Sequence, residues 1–237
     1  MADPKGLSFV FIEAGSQISE VDHYDWYDNE HSPARLTVPG FLTARRYKAD
    51  DSQKPTYLTL YDLTEPAVAN GPEYKEFHAK SSDRDKTMLS SVQFLNRRSY
   101  KLLDDPYLHP DNTDASHPGK FLLLLGFEIK PEAEDDFNRW YREEHIPQYL
   151  AKVPGWIRSR RYTLFDNKQR GSLENGQELQ VCKYLALHDF TCGPSEFMEH
   201  EYMKASLETP WTKRVVPNIL HRELRILQLH RVYKKPE

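Results

Sequence analysis

The sequence contains very little cysteine, which limits what can hold the fold together. Only Cys182 and Cys192 occur among 237 residues, and both lie in the second half of the chain. Two cysteines cannot build a disulfide framework, and their spacing does not match a Cys-x-x-Cys zinc motif. We therefore expect neither structural disulfides nor a cysteine-ligated metal.

Other signatures are missing as well. No run of about 18 apolar residues is present to cross a bilayer, and the N-terminus lacks signal-peptide architecture. We therefore expect a cytoplasmic protein without a membrane partner. A net charge of −4 and a pI near 6.2 provide no basic field for nucleic acid. No Gly-rich phosphate loop or Gly-x-Ser-x-Gly elbow occurs, which argues against nucleotide binding and hydrolase chemistry.

The sequence does contain an internal duplication. Residues 26–33, Trp-Tyr-Asp-Asn-Glu-His-Ser-Pro, recur about 114 residues later as residues 140–147, Trp-Tyr-Arg-Glu-Glu-His-Ile-Pro. Each copy is followed by a Val-Pro-Gly turn and then by Arg-Arg-Tyr. The repeat predicts two units, residues 1–103 and 120–237, joined by a proline-containing linker at 104–119.

Each copy shows the same succession of local patterns. A strand is followed by a helix, two strands, a helical region and a last strand, which is the βαββαβ order of a ferredoxin-like unit. Ser19 is the expected N-cap of the first helix, and the polar stretch 166–176 is expected to be a hairpin loop. The predicted fold class is α+β, with two tandem ferredoxin-like units whose sheets form an intrachain dimeric α+β barrel.

The Trp-Tyr-x-x-Glu-His-x-Pro helix, with its Val-Pro-Gly and Arg-Arg-Tyr, resembles the dimeric α+β barrel superfamily. It is most similar to the EthD-like branch, in the tandem form of fungal proteins, and the resemblance covers the whole chain. This resemblance implies a shielded pocket between sheet and helices. Relatives use such pockets for cofactor-free oxygenation, for cyclisation, dehydration or decarboxylation of polyketides, for lactone isomerisation and, in distant branches, for haem chemistry. The fold alone does not choose among these activities.

The repeated helix supplies the candidate catalytic residues. Tyr27 and His31 are four residues apart and share a helix face, as do Tyr141 and His145. Each histidine is suited to general acid–base catalysis because its ordinary pKa is about 6.5, and each tyrosine could orient the imidazole or bind the substrate. Alternatively, the histidines cap the helix end before the proline by bonding a carbonyl group.

The candidate substrate-binding residues are aromatic or basic side chains: Trp26, Trp140, His23, His78, Arg46 and Arg161. The tryptophans would form an aromatic wall. Because side chains alternate along a strand, one arginine of each Arg-Arg pair should point inward and could bind a carboxylate or phenolate. An ion pair with Glu30 or Glu144 is the alternative. No short spacing of metal ligands is visible, so we expect no metal and no other cofactor.

These residues favour a cofactor-independent enzyme that acts on a small aromatic or polyketide-like molecule. A lyase or cyclase with histidine as general acid–base is the leading hypothesis, and each leading-helix imidazole is then expected to face an enclosed interior. A cofactor-free monooxygenase of phenols or anthrones is the first alternative. A non-catalytic barrel that binds a hydrophobic ligand is the second, and a homodimer is possible in each case.

Overall fold

The computed structural model describes residues 3–112, 117–176 and 179–235. Its contacts divide the chain into two compact units. Unit 1 comprises Met1–Leu102, Leu164–Gln180 and His230–Glu237, whereas unit 2 comprises Leu103–Thr163 and Val181–Leu229. Positions 113–116 of the predicted linker lie outside the described residues.

Unit 1 contains the elements of one ferredoxin-like repeat. In chain order they are β1 (Gly6–Glu13), α1 (Glu20–Trp26), a first π segment (Tyr27–His31), α2 (Ser32–Arg35), β2 (Phe41–Ala49), β3 (Tyr57–Leu63), a 3-10 turn (Pro66–Asn70), α3 (Pro72–Ala79), α4 (Asp83–Ser91) and β4 (Phe94–Leu102). The strands lie in the order β4-β1-β3-β2, and β1 is antiparallel to both of its neighbours. As predicted, Ser19 caps α1, because its hydroxyl accepts a 3.1 Å hydrogen bond from the amide of Asp22.

Unit 2 repeats this order. Its elements, some of which extend beyond it, are β5 (Tyr107–Leu108), β6 (Phe121–Ile129), a 3-10 turn (Pro131–Ala133), α5 (Glu134–Trp140), a second π segment (Tyr141–Tyr149), a 3-10 turn (Leu150–Lys152), β7 (Trp156–Gly171), β8 (Tyr184–Phe190), α6 (Pro194–Met198), α7 (Glu201–Ala205), α8 (Pro210–Val215), a 3-10 turn (Val216–Asn218) and β9 (Ile219–Tyr233). The order β9-β6-β8-β7 matches that of unit 1. The predicted fold class, tandem ferredoxin-like units of the dimeric α+β barrel type, is confirmed.

The prediction of a hairpin loop at residues 166–176 is wrong for its first part, because β7 continues as a strand to Gly171. The end of β7 belongs to unit 1, where the side-chain amide of Asn96 on β4 donates a 2.7 Å hydrogen bond to Asn167. Gly171 lies so close to β4 that an added Cβ would come within 2.0 Å of the carbonyl oxygen of Gln93. The polar sequence reflects an exposed strand rather than a loop.

The helices of the described ranges are short. None of them is both long and apolar enough to cross a membrane.

Candidate functional site

The first π segment brings two aromatic rings to one imidazole. The amide of Ser32 bonds the carbonyl of Tyr27, five residues earlier, so this turn is wider than an α-helical one. The ring of His31 consequently lies 4.4 Å, centroid to centroid, from the rings of both Trp26 and Tyr27. In a regular α-helix Tyr27, but not Trp26, would lie on the same face as His31, as the sequence suggested. Glu30, one residue before His31, turns away to Ser82 and Arg84.

A carboxylate from a distant helix binds this imidazole. Asp85, in the first turn of α4, places Oδ1 2.6 Å from Nδ1 of His31. The same oxygen accepts a 2.9 Å hydrogen bond from Nε1–H of Trp26, and its partner Oδ2 lies 3.9 Å from Nη2 of Arg35. The carboxylate is thus the acceptor, so His31 carries its proton on Nδ1. The side chain of His31 therefore binds a carboxylate, and not a carbonyl group at the helix end as in the alternative capping role.

The electrostatics of the pair leave His31 neutral at pH 7. Burial, followed by the positive charge of Arg35, lowers the pKa of His31 to about 3. Burial alone would raise the pKa of Asp85, but its hydrogen bond from His31, together with Arg35 and Trp26, holds that pKa well below its ordinary value. With Nδ1–H directed to Asp85, Nε2 is left as an acceptor without a hydrogen bond in the described part of the chain.

His31 lies on the wall of a cavity of about 560 Å³ between the sheet and the helices of unit 1. The inner part of this cavity is formed by buried side chains: Ser8, Tyr27, His31, Arg35, Phe41 and Tyr61. The outer part is formed by exposed side chains from α3, α4 and the end of β7: Lys75, His78, Lys86, Ser90, Lys168, Gln169 and Arg170. All of these residues belong to unit 1. The cavity therefore has a buried floor and a polar mouth.

Two tyrosines on the cavity floor retain their protons. Burial raises the pKa of Tyr27. Burial also raises the pKa of Tyr61, whose hydroxyl lies 3.5 Å from that of Ser32. Both phenols can donate a hydrogen bond at neutral pH.

Of the other predicted site residues in unit 1, only His78 lines the cavity, at its exposed mouth. Trp26 instead supports Asp85. Arg46 forms a 2.6 Å ion pair with Asp28, and its guanidinium lies 4.4 Å from the centroid of the Tyr27 ring. His23 is buried beside Arg46, and burial followed by that positive charge lowers the pKa of His23 to about 3. These three residues pack against Tyr27 of the first π segment and do not line the cavity.

Both members of each Arg-Arg pair are buried, so the expectation that only one arginine of each pair points inward is wrong. Arg46 faces the helices, while Arg45 forms a 2.6 Å ion pair with Asp62 on the neighbouring strand. The sequence suggested Glu30 as the acidic partner of Arg46, but the partner is Asp28. The same holds in unit 2, where Arg161 forms a 3.0 Å ion pair with Asp104 and not with Glu144.

Unit 2 keeps the aromatic framework but not the carboxylate. Thr212 occupies the place of Asp85 and accepts a 3.0 Å hydrogen bond from Nε1–H of Trp140. His145 packs 4.4 Å from the Trp140 ring, and its buried Nδ1 makes no hydrogen bond within the described residues. Burial lowers the pKa of His145 to about 4. In the described part of the chain, no acidic partner fixes which nitrogen of His145 carries the proton.

Tyr141 of unit 2 is engaged in a separate buried network. Its hydroxyl shares a 3.0 Å hydrogen bond with Nε2 of His188, and Nδ1 of His188 lies 2.6 Å from Oγ of Ser159. Around Trp140 and Tyr141 an apolar cluster is packed that includes Leu150 and Phe197. Tyr141 and His145 are therefore embedded in packed core.

Sequence reasoning missed three residues of the unit 1 site: Arg35 and Tyr61, which line the cavity, and Asp85, which binds His31. Comparison of the two copies contained a signal for two of them. Three residues before the Val-Pro-Gly turn, the first copy has Arg35 and the second has Leu150. Three residues after a helix-capping hydroxyl, the first copy has Asp85 and the second has Thr212. At both positions a charged residue of the first copy stands opposite a neutral residue of the second.

Metal binding has no visible basis at these residues. Within the ranges that the structure describes, no group of three or more His, Cys, Asp or Glu side chains is placed to hold a metal ion.

Solved structures with the same fold span nearly the whole chain. A structure described as an anthrone oxidase-like protein gives a TM-score of 0.63 at 11% identity, over 99% of this chain and 95% of that one. A candidate monooxygenase from Fusobacterium nucleatum gives 0.59 at 12% identity, over 99% and 95%. Another from Lactobacillus acidophilus gives 0.56 at 11% identity, over 98% and 97%. At these identities the similarity establishes the dimeric α+β barrel fold alone.

No protein-family model matches the sequence, and a search of curated proteins finds no match.

Proposed function

We propose that this protein is a cofactor-independent enzyme that uses His31 as a general base on a small aromatic or polyketide-like substrate. The observation that carries the proposal is the His31–Asp85 pair, which leaves Nε2 unprotonated on the wall of a cavity of about 560 Å³. That volume lies within the range of about 300 to 1,000 Å³ that is typical of small-molecule sites. We propose a structural role for His145 and Tyr141, which lack the carboxylate and lie in packed core.

The geometry supports removal of a proton from the substrate. Neutral His31 accepts a proton from a phenol, an enol or an activated C–H group at Nε2, and the carboxylate of Asp85 stabilises the imidazolium that results. Arg35 and the phenols of Tyr27 and Tyr61 provide one positive charge and two donors on the same floor for the substrate anion. Asp85 acts through His31 and is a positioning residue.

A lyase or cyclase reaction completes this cycle without another reagent. In a dehydration, the substrate anion expels a β-hydroxyl group, and the proton held by His31 leaves with it as water. In a cyclisation, the carbanion attacks a carbonyl group, and His31 returns its proton to the new alkoxide. Both reactions restore neutral His31 and need no external oxidant or reductant.

A cofactor-free monooxygenase is the second candidate, because three proteins of the same fold carry the descriptions anthrone oxidase-like or monooxygenase. It would begin with the same deprotonation. The anion would then reduce O₂, so that one oxygen atom becomes the new carbonyl group and the other leaves as water. Within the superfamily we assign the chain to the EthD-like branch on its repeated motif, and we expect a cytoplasmic protein, with a homodimer possible.

The matched pair of variants His31→Gln and His145→Gln tests the proposal. Turnover of a panel of anthrones and β-hydroxy aromatic ketones should fall by about 10²- to 10⁴-fold in the first variant, because it loses the base. The second variant should keep wild-type turnover, since its histidine lacks a carboxylate. Product analysis with an oxygen electrode separates the two chemistries, because only the monooxygenase consumes O₂. Equal effects of the two substitutions, or a ligand recovered unchanged from wild-type protein, would contradict an enzyme with its base in unit 1.

A further inference from the structure

The charge of the unit 1 cavity is opposite to that of the whole chain. The protein carries a net charge of −4, yet among the described residues the cavity lining contains six lysine or arginine side chains and no aspartate or glutamate: Arg35, Lys75, Lys86, Arg97, Lys168 and Arg170. Such a concentration of one charge in a concave site attracts a ligand of the opposite charge.

These cations are not neutralised equally. Arg35 lies 3.9 Å from Asp85, and Arg97 lies 3.9 Å from Asp166. Lys168 and Arg170 donate to the neutral oxygens of Asn70 and Leu89. Lys75 on α3 and Lys86 on α4 form no ion pair within the described residues. The uncompensated positive charge is therefore at the mouth of the cavity.

The floor has a different character. There the ligand would meet His31, the rings of Phe41 and Tyr61, and Val10 of β1. The floor cation Arg35 is already opposite Asp85. An aromatic body fits the floor, and a permanent anion is favoured at the mouth, where it remains partly hydrated. The two ends of the cavity thus prefer opposite ends of one amphiphilic molecule.

We infer that the substrate is an aromatic molecule with a carboxylate or phosphate at the end remote from the reacting carbon, and that Lys75, Lys86, Lys168 and Arg170 bind that anion. The inference rests on the proposed function and refines its substrate class. It also sets the orientation, because the anion stays at the mouth while the opposite end of the ring system meets Nε2 of His31. In this orientation the anionic group is retained in the product.

A probe series tests the inference by binding alone. Anthracene-2-carboxylate, 2-anthryl phosphate and the neutral 2-hydroxymethylanthracene share one aromatic body, and their fluorescence reports binding. At low ionic strength wild-type protein should bind at least one anionic probe about tenfold more tightly than the neutral probe, and added salt should reduce this preference. Tighter binding of the carboxylate assigns a free acid, and tighter binding of the phosphate assigns a phosphate ester.

A charge-reversed double variant locates the anion. In Lys75→Glu/Lys86→Glu the affinity for the anionic probes should fall by about tenfold or more, whereas the affinity for the neutral probe should change by less than about twofold. The control is Lys101→Glu/Lys234→Glu, which makes the same change in net charge at exposed lysines outside the cavity lining and should leave all three affinities unchanged.

Equal affinity of wild-type protein for the three probes, no binding of any of them, or an undiminished preference in Lys75→Glu/Lys86→Glu overturns the inference. These results are distinguishable from failure of the proposed function. The proposed function fails when His31→Gln keeps full turnover, whatever the lysine variants do.

Discussion

At the scale of single residues, the state of His31 depends on Asp85. The carboxylate binds Nδ1 at 2.6 Å and thereby keeps Nε2 unprotonated toward the cavity. In Asp85→Asn the amide can donate as well as accept, so the imidazole can bind it in either tautomer, and its protonated form loses its counter-ion. We expect turnover to fall by about 10²-fold or more, and Asp85→Glu should restore part of it.

Thr212→Val is the matched control in unit 2. It removes the acceptor of the Trp140 indole N–H and should cost about 1 to 3 kcal/mol of unfolding free energy through that unpaired donor. Turnover should stay at the wild-type level. A drop in turnover for Thr212→Val as large as that for Asp85→Asn would show that the carboxylate acts only through general stability.

The sequence was sufficient to predict Tyr27 and His31 as neighbours, because they are close in the chain and occur in both copies. It was insufficient for Asp85, which is 54 residues away from His31 and whose approach depends on how α4 packs. It also could not predict the partners of Arg46 and Arg161. A strand that is buried on both faces gives no alternation of polar and apolar residues from which to infer direction.

At the scale of elements, the cap of α4 determines where Asp85 lies. Ser82 accepts a 2.9 Å hydrogen bond from the amide of Asp85, and Thr209 accepts a 3.0 Å bond from the amide of Thr212 in the same position of α8. Replacement of either hydroxyl residue by alanine should cost about 1 kcal/mol of unfolding free energy, as measured in urea.

The two caps should differ in their effect on function. Ser82→Ala loosens the turn that holds Asp85 against His31, so turnover should fall several-fold and amide exchange at the start of α4 should accelerate. Thr209→Ala loosens a turn that holds Thr212 and Glu144, neither of which reaches the cavity, so turnover should not change. Loss of turnover in Thr209→Ala alone would contradict the assignment of the site to unit 1.

The π segments show what the sequence could not supply at this scale. Helical spacing predicted one helix through the repeated motif in each copy, and this is broadly correct, but the five-residue turn that brings Trp26 and Tyr27 together onto His31 has no pattern in a single sequence. The same is true of the end of β7. Polar residues such as Lys168 indicate exposure, and exposure is equally typical of a loop and of a strand.

At the scale of the whole molecule, four histidines are buried in a neutral state. Burial is the main cause that lowers the pKa of His23, His31 and His188 to about 3 and that of His145 to about 4. The unfolded chain, in which each pKa is near 6.5, binds more protons than the folded chain between these values. Stability is therefore complete above about pH 6.5 and is lost as the pH falls toward the folded pKa values.

The expected loss of unfolding free energy at acidic pH is large. Between pH 7.5 and pH 5 each of these histidines should cost about 2 kcal/mol of unfolding free energy, against a total of about 5 to 15 kcal/mol for a typical protein. Urea unfolding at a series of pH values measures this loss. His145→Phe, which removes one titrating ring from an aromatic environment, should make the pH dependence about a quarter shallower. An unfolding free energy that is constant over this interval would contradict the neutral, buried state of the histidines.

The duplication made the fold predictable, because a shared motif in each half fixed both the order of elements and the repeat of the unit. It also made the site harder to locate, because the same Tyr-x-x-x-His pair occurs in both halves. What separates the two units is a difference in side chains that the motif does not include, Arg35 and Asp85 in one copy against Leu150 and Thr212 in the other. In unit 1 the shared framework encloses a cavity, whereas in unit 2 packed core surrounds the equivalent residues.

The proposed function requires that His31 is a neutral imidazole with its proton on Nδ1 and its unprotonated Nε2 toward the cavity of unit 1. Nitrogen-15 NMR of imidazole-labelled protein between pH 5.5 and pH 8 tests it most directly, with Asp85→Asn assigning the signal. We expect a single Nδ1–H tautomer of His31 that does not titrate across this interval and whose Nε2 signal shifts when an aromatic acid is added. An ordinary titration near pH 6.5, or an Nε2–H tautomer unaffected by the ligand, would contradict it.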